Sequence, residues 1–233
     1  MAFDTSMNTR ISVIIPALNE AGVIAGALAS AAAEPDAELI VVDGGSRDAT
    51  AEIARSHGAT VVTAPLGRAC QMNAGAHIAT GEYLLFLHAD TRLAPRYADE
   101  VRRILGLPGV AAGAFELKID GTGWGLRLVE RAANLRSRLL ELPLGDQAFF
   151  LKAALFRSLG GYSEIPLLED LELARRLRRR GRIVTASIPA LTSARRWESV
   201  GPLRATLLNQ FFLLAYLAGI PPRQIATWYY RRG

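Results

Sequence analysis

The stretch "ISVIIPALNEAGVIAGALASAAAEPDAELIVVDGG", residues 11–45, decides the fold. It opens with "ISVIIP" (11–16), rich in β-branched residues, which favour strands. "EAGVIAGALASAAAE" (20–34) follows, dominated by alanine, the strongest helix former. "ELIVVD" (38–43) is a second apolar run. Strands that are apolar throughout are buried on both faces, the condition of a parallel sheet covered by helices. Strand, helix, strand with short connections implies a right-handed crossover. The alternation continues through a helix at "RDATAEIARSHG" (47–58), a strand at "TVVTA" (60–64), a helix at "GRACQMNAGAHIA" (67–79) and a strand at "YLLFLH" (83–88). The first half is therefore α/β, with a doubly wound, Rossmann-like sheet.

The second half is less regular. "AGAFELKI" (112–119) alternates like a strand with one wet face. "GWGLRLVERAANLRSRLLEL" (123–142) has the spacing of an amphipathic helix. "QAFFLK" (147–152) and "RIVTAS" (182–187) read as strands, and "LEDLELARRLRRRG" (168–181) as a helix closed by Gly181. The last third reads as helical, with a break at Pro221-Pro222. No repeat or linker interrupts the chain, which reads as one domain of two abutting halves with a helical C-terminal extension over 201–233.

Composition limits the partners. Half of the 233 residues are hydrophobic, enough for a full core, and there is no low-complexity tract. The 27 basic and 22 acidic residues leave a surplus of +5, concentrated in arginine, which admits anionic partners. Cys70 is the single cysteine, so neither an internal disulfide nor a cysteine zinc cluster can form. A reducing, cytoplasmic setting is expected. "MAFDTSMNTR" lacks an apolar core of the kind a signal peptide carries. "LLNQFFLLAYLAGI" (207–220) is the longest apolar run. It is shorter than the ~20 residues a membrane-spanning helix takes. It is expected to pack in the core or against a second copy, with the inner membrane face as the alternative.

In an open parallel sheet, ligands sit outside the carboxyl ends of the strands. Those ends carry Pro16-Ala17-Leu18-Asn19-Glu20, then Asp43-Gly44-Gly45-Ser46-Arg47-Asp48, then Gly67-Arg68, then His88-Ala89-Asp90. A strand-end Asp43 can accept hydrogen bonds from a base or a ribose. Two glycines after it let backbone approach a ligand. Asp48 suits a helix cap as well as a ligand. Neither a dinucleotide fingerprint nor a P-loop follows the first strand, and Ser46 is not in a nucleophile elbow. A nucleotidyltransferase would need a basic, Gly-rich loop where "PALNEAG" stands.

"SVIIPALNE", "ELIVVDGGSRDAT", "GRACQMNAG", "GEYLLFLHADTRL" and "LGGYSEIPLLEDLELARRLRRRG" resemble, in that order, the family 2 glycosyltransferases with the GT-A fold. The resemblance covers residues 11–200. "GGSRDAT", "FLHADTRL" and "SARRWES" are similar to a small bacterial branch described as radical-SAM/selenodomain-associated transferases. The resemblance implies a GT-A (nucleotide-diphospho-sugar transferase) fold, with a mostly parallel sheet and helices on both faces. The nucleotide-binding half would cover about 11–92 and the acceptor half about 93–200.

It further implies a metal-dependent, inverting, hexosyltransferase-like enzyme using a UDP-sugar. Its partners would be that donor and an acceptor hydroxyl the sequence does not identify, without nucleic acid. Pro16, Ala17, Asn19, Glu20, Asp43 and Gly44 would hold the nucleotide, joined by Gly67 and Arg68. His88-Ala89-Asp90 stands where the family has its acid-x-acid triplet. Asp90 would hold Mn²⁺ or Mg²⁺. His88 replaces the first acid and reads as a second metal ligand, a ribose or phosphate donor, or a strand-end histidine bonded to backbone. Glu169-Asp170 matches the pair that supplies the general base, with Asp170 first. Asp146, Gln147, Arg195, Arg196 and Trp197 would line the acceptor and diphosphate. A module that binds nucleotide without catalysis is the remaining alternative, prompted by the His88 replacement.

Overall fold

A computed structural model describes residues 9–230. β1 (Ile11–Ala17), β2 (Glu38–Asp43), β3 (Thr60–Thr63) and β4 (Tyr83–Phe86) form the parallel part of an eight-stranded sheet. β1 lies between β2 and β4, and Ala17 is in register with Asp43. α1 (Ile24–Ala31), α2 (Thr50–Ser56) and α3 (Arg68–Ile78) make the crossovers. Alternate residues of β1 go to opposite faces. Val13 and Ile15 join one core cluster with Leu28, while Ile14 joins another with Met72. Burial on both faces is why these strands are apolar throughout. Gly75 of α3 lies so close to the sheet that a Cβ there would collide with the side chains of Ile14 and Val42.

β4 stops two residues before His88. Leu87 N–H still donates to Ile14 O at 2.9 Å, but the next β1 residue on that side is Pro16, which has no N–H to extend the ladder. The chain is thereby released, and His88-Ala89-Asp90 forms the exit loop.

The second half completes the sheet. β5 (Thr91–Leu93), β6 (Val110–Asp120), β7 (Phe149–Lys152) and β8 (Arg182–Ser193) give the order β3-β2-β1-β4-β7-β6-β8-β5. β7 runs antiparallel to both β4 and β6, and β5 antiparallel to β8. The predicted strand over 147–152 begins only at Phe149, because Gly145–Gln147 forms a 3₁₀ turn. The strand predicted over 182–187 continues to Ser193. It passes Pro189 through a register shift against β6, the kind of irregularity that tolerates proline.

β5, α4 (Tyr97–Leu105) and α6 (Ala153–Ser158) were not anticipated. α5 (Trp124–Leu140) lies over β6, and α7 (Glu169–Leu177) lies against the Ile14 face of the core. α8 (Arg195–Val200), α9 (Pro202–Leu217) and α10 (Pro222–Tyr230) close the chain. Phe212, Ala215 and Ile225 of these last helices pack with Leu167 and Leu168, immediately before α7. The C-terminal helices thus brace the start of α7. Among the described residues no helix is long and apolar enough to cross a membrane.

Candidate active site

The exits of β1 and β2 are locked to each other. Asn19, at φ +53°, donates its N–H to Ser46 Oγ at 2.9 Å and accepts from Arg47 N at 2.8 Å. Asp48 accepts from Ala21 N and Thr50 N, both at 3.1 Å, so it ties the first loop to the start of α2. The Thr50 hydroxyl is the main reason its pKa falls below the usual carboxylate value. Glu20 N donates to Thr50 Oγ1 at 2.8 Å. Asp43 is buried and accepts from the backbone and hydroxyl of Ser46, forming a tight turn. Sequence reasoning missed Gln71. Its buried amide donates to Ala17 O at 3.0 Å and Val42 O at 2.8 Å, clamping the two strand ends together. Gly44 is packed against that amide, where a Cβ would stand 3.1 Å from Gln71 Nε2. Pro16 and Ala17 end β1 above this clamp.

The exit of β4 forms a second corner. Ala89 is buried and Asp90 half-buried. Arg195, at the start of α8, donates to Glu20 Oε2 at 2.8 Å and to Asp90 Oδ2 at 3.3 Å. One guanidinium therefore spans carboxylates from the exits of β1 and β4. These two acids stand without a third: among the described residues no three His, Cys, Asp or Glu side chains meet as a metal cage.

The third part lies at the first turn of α7. Glu169 and Asp170 are both buried. Burial, then the neighbouring Glu169 carboxylate, lift the Asp170 pKa from 3.8 to about 7; Asp146 adds to the rise and Arg68 opposes it. The helix N-terminus favours the ionised form but does not outweigh desolvation. Tyr162 is buried beside these acids, and burial and both carboxylates push its phenol well above its ordinary value. Asn73 holds the Tyr162 backbone through two bonds, from Asn73 Nδ2 to Tyr162 O at 2.9 Å and from Tyr162 N to Asn73 Oδ1 at 2.8 Å.

Gly145 links this part to the second. A Cβ on Gly145 would stand 2.7 Å from His88 Nε2 and closer still to Asp170 Oδ2. The imidazole and the base candidate therefore converge on the same side of Gly145. His88 lies towards Asp170, a placement the strand-exit reading did not contain.

Gly67, at φ +138°, opens α3 and puts Arg68 on the same edge, within electrostatic reach of Asp170. Asp146 also borders Arg136, whose pKa burial lowers and Asp146 raises.

Two expected acceptor residues are placed otherwise. Gln147 is fully buried; it accepts from Ser137 Oγ at 2.6 Å and donates to Phe115 O at 3.0 Å, so its side chain pins the turn and cannot meet an acceptor. Trp197 is 5% exposed and packs among Leu117, Ile119 and Leu126, so its ring offers no face to a sugar. The side chain of Arg196 lies outside the described residues.

The family model for Glycosyl transferase family 2 matches residues 12–153, more than half of the chain. The chain belongs to glycosyl transferase family 2. It is a glycosyltransferase, and its mixed sheet with helices on both faces is the GT-A fold. The match ends before α7, so the Glu169-Asp170 pair lies beyond it.

Among its relatives is the PGL/p-HBAD biosynthesis glycosyltransferase of Mycobacterium tuberculosis, 29% identical over 218 residues, covering 87% of this chain and 82% of that one. Of solved structures, the mannosyltransferase PcManGT of Pyrobaculum calidifontis, in complex with GDP-Man and Mn²⁺, superposes with a TM-score of 0.65 at 21% identity. That alignment covers 78% of this family 2 chain and 56% of the mannosyltransferase, so this chain spans just over half the length of that one. Glucosyl-3-phosphoglycerate synthase of Mycobacterium tuberculosis, in complex with Mn²⁺, UDP and glucosyl-3-phosphoglycerate, gives a TM-score of 0.63 at 23% identity, over 91% of this chain and 81% of that one.

Proposed function

We propose that this family 2 glycosyltransferase moves a sugar from a UDP-sugar to an acceptor hydroxyl with inversion, with Asp170 as general base and Asp90 as the carboxylate that holds a divalent cation. The observation that carries this is Asp170 itself. It is a buried carboxylate at a helix start, with its pKa lifted to about 7, on the sheet edge that also carries Asp90. A general base works best when its pKa lies near the operating pH.

The acceptor O–H gives its proton to Asp170. The acceptor oxygen bonds to the anomeric carbon as the bond from that carbon to the β-phosphate oxygen breaks, and the electron pair leaves on UDP. Inversion needs the base and the leaving diphosphate on opposite sides of the sugar. Asp170 and Asp90 come from different elements, α7 and the β4 exit, and the proposal gives the base to the first and the leaving group to the second. Arg68 and Arg195 are the cations available to phosphate oxygens, and arginine can grip phosphate through two parallel bonds.

The donor set suits a hard cation only in part. Asp90 and Glu20 bring oxygen ligands, and a guanidinium already bridges them, so the corner accepts positive charge. With no third ligand from the described residues, the remaining coordination would come from the diphosphate and water, as Mg²⁺ and Mn²⁺ sites commonly allow. A bound cation would stabilise the charge that grows on the departing diphosphate. The solved complexes with nucleotide and Mn²⁺ support this choice. Asp43, with Asn19 and Gly44 beside it, is the group proposed to meet the uracil or the ribose.

The test is donor turnover, read as nucleoside diphosphate released from a panel of nucleotide-sugars between pH 5 and pH 9. The proposal expects an acidic limb with an apparent pKa near 7 for one donor, lost in Asp170→Asn. A rate independent of pH across that limb would overturn the base assignment.

A further inference from the structure

We infer that α5 and α9 together form a docking surface for the anionic face of a lipid bilayer. The observation is an apolar stripe on each of two helices that pack against one another. On α5, Trp124 is 75% exposed and Leu139 71%, with Leu128 between them more than half exposed. At 3.6 residues per turn, positions 124, 128 and 139 fall on one side of the helix. On α9, Leu207 is 70% exposed, and Phe211 and Leu214 are each more than half exposed. They fall on one side as well, opposite Phe212 and Leu213, which are buried in the protein.

α9 therefore carries apolar side chains on two sides but is covered on one of them only. Such a helix needs a second apolar surface. Its 16 residues reach about 24 Å at the rise of an α-helix, short of the ~30 Å hydrocarbon core. It can lie on a bilayer and cannot span one.

Charge selects the occupant. From Pro202 to Tyr230 the chain carries no aspartate or glutamate, while Arg204 and Arg223 are exposed. On α5, Arg131 is exposed within the apolar stripe itself. The one acid of α5, Glu130, is buried, bonded to Ile119 N at 2.6 Å and paired with Arg127 at 2.7 Å. The face is apolar and cationic. Arginine stems can lie along an apolar layer while their heads reach headgroup phosphates. A large exposed tryptophan beside them suits the headgroup level. A second copy of the same cationic face would bring like charges together, which disfavours self-association through it.

Because α9 and α10 also brace Leu167 and Leu168, the surface is mechanically continuous with the start of α7.

The experiment is co-sedimentation of the full chain with vesicles of phosphatidylglycerol, compared with vesicles of phosphatidylcholine alone, at low and high salt. Binding to the anionic vesicles that weakens with salt is expected. The Leu207→Ser/Phe211→Ser/Leu214→Ser variant should lose it by ~10-fold or more, because three apolar side chains leave the face that is buried on binding. The Arg131→Glu/Arg204→Glu variant alters no packed side chain and should lose the preference for anionic vesicles. Circular dichroism at the wild-type melting temperature checks that both variants fold. Absence of binding by the wild type, or equal binding by the charge-reversed variant, would overturn the inference. So would a wild-type dimer in light scattering that the serine variant splits, which would give the face to a second copy.

Discussion

Replacing Asp170 by asparagine tests whether a buried charge is retained for chemistry at the expense of stability. The carboxyl has a folded pKa of about 7 against an ordinary 3.8, with desolvation as the first cause and Glu169 as the second. A raised pKa means that the folded state holds the proton more tightly than the unfolded chain. The resulting stabilisation is present in full below about pH 4 and is lost as pH rises through about 7. At 1.36 kcal/mol per unit, the loss by pH 8 is on the order of 4 kcal/mol. Asparagine has nearly the same shape and no charge to desolvate. Urea unfolding of wild type and Asp170→Asn at pH 5, 6.5 and 8 should therefore show a difference that shifts in favour of the variant as pH rises. Glu169 is adjacent, so the shift reports the pair rather than one carboxyl. Donor turnover should fall by about 10²–10⁴ in the same variant, the usual range for a lost general base. A stability difference that does not change between pH 5 and pH 8 would refute the reasoning. So would a variant that keeps full turnover.

Gly145→Ala would place a methyl group against His88 Nε2 and Asp170 Oδ2; it should cost about 1–3 kcal/mol of stability as overpacking, and should lower kcat more than it raises KM. Gln71→Ala leaves the carbonyls of Ala17 and Val42 without their side-chain donor. A loss of about 1–3 kcal/mol in urea unfolding is expected, with weaker nucleotide binding because both strand exits loosen. Trp197→Ala should destabilise by about 3–5 kcal/mol, as a buried aromatic does; a change in KM with stability intact would instead return the ring to the acceptor site.

The strands and crossovers of the first half were legible because burial on both faces writes itself as unbroken apolar runs. The positions of the strand exits were legible too, since they follow directly on those runs. The antiparallel insertion of β7 was not, because four residues such as Phe149–Lys152 carry no mark of direction. The position of His88 beside Asp170 depends on where the 3₁₀ turn at Gly145 falls, a contact between segments 57 and 25 positions away that no local pattern encodes. Gln71 looked like any helix residue, and only the convergence of two strand ends gives its amide a purpose. Trp197 misled for the opposite reason. A basic-aromatic motif says which residues are present but not which way the ring turns, and apolar neighbours on β6 and α5 took it into the core.

Calorimetric titration of UDP in the presence and absence of Mn²⁺, for wild type and Asp90→Ala, tests most directly the claim that the sheet edge is a sugar-nucleotide site built around Asp90. The account predicts binding that Mn²⁺ strengthens in the wild type, with that strengthening gone in Asp90→Ala. UDP binding that is indifferent to Mn²⁺, or equally strengthened when Asp90 is absent, would contradict it.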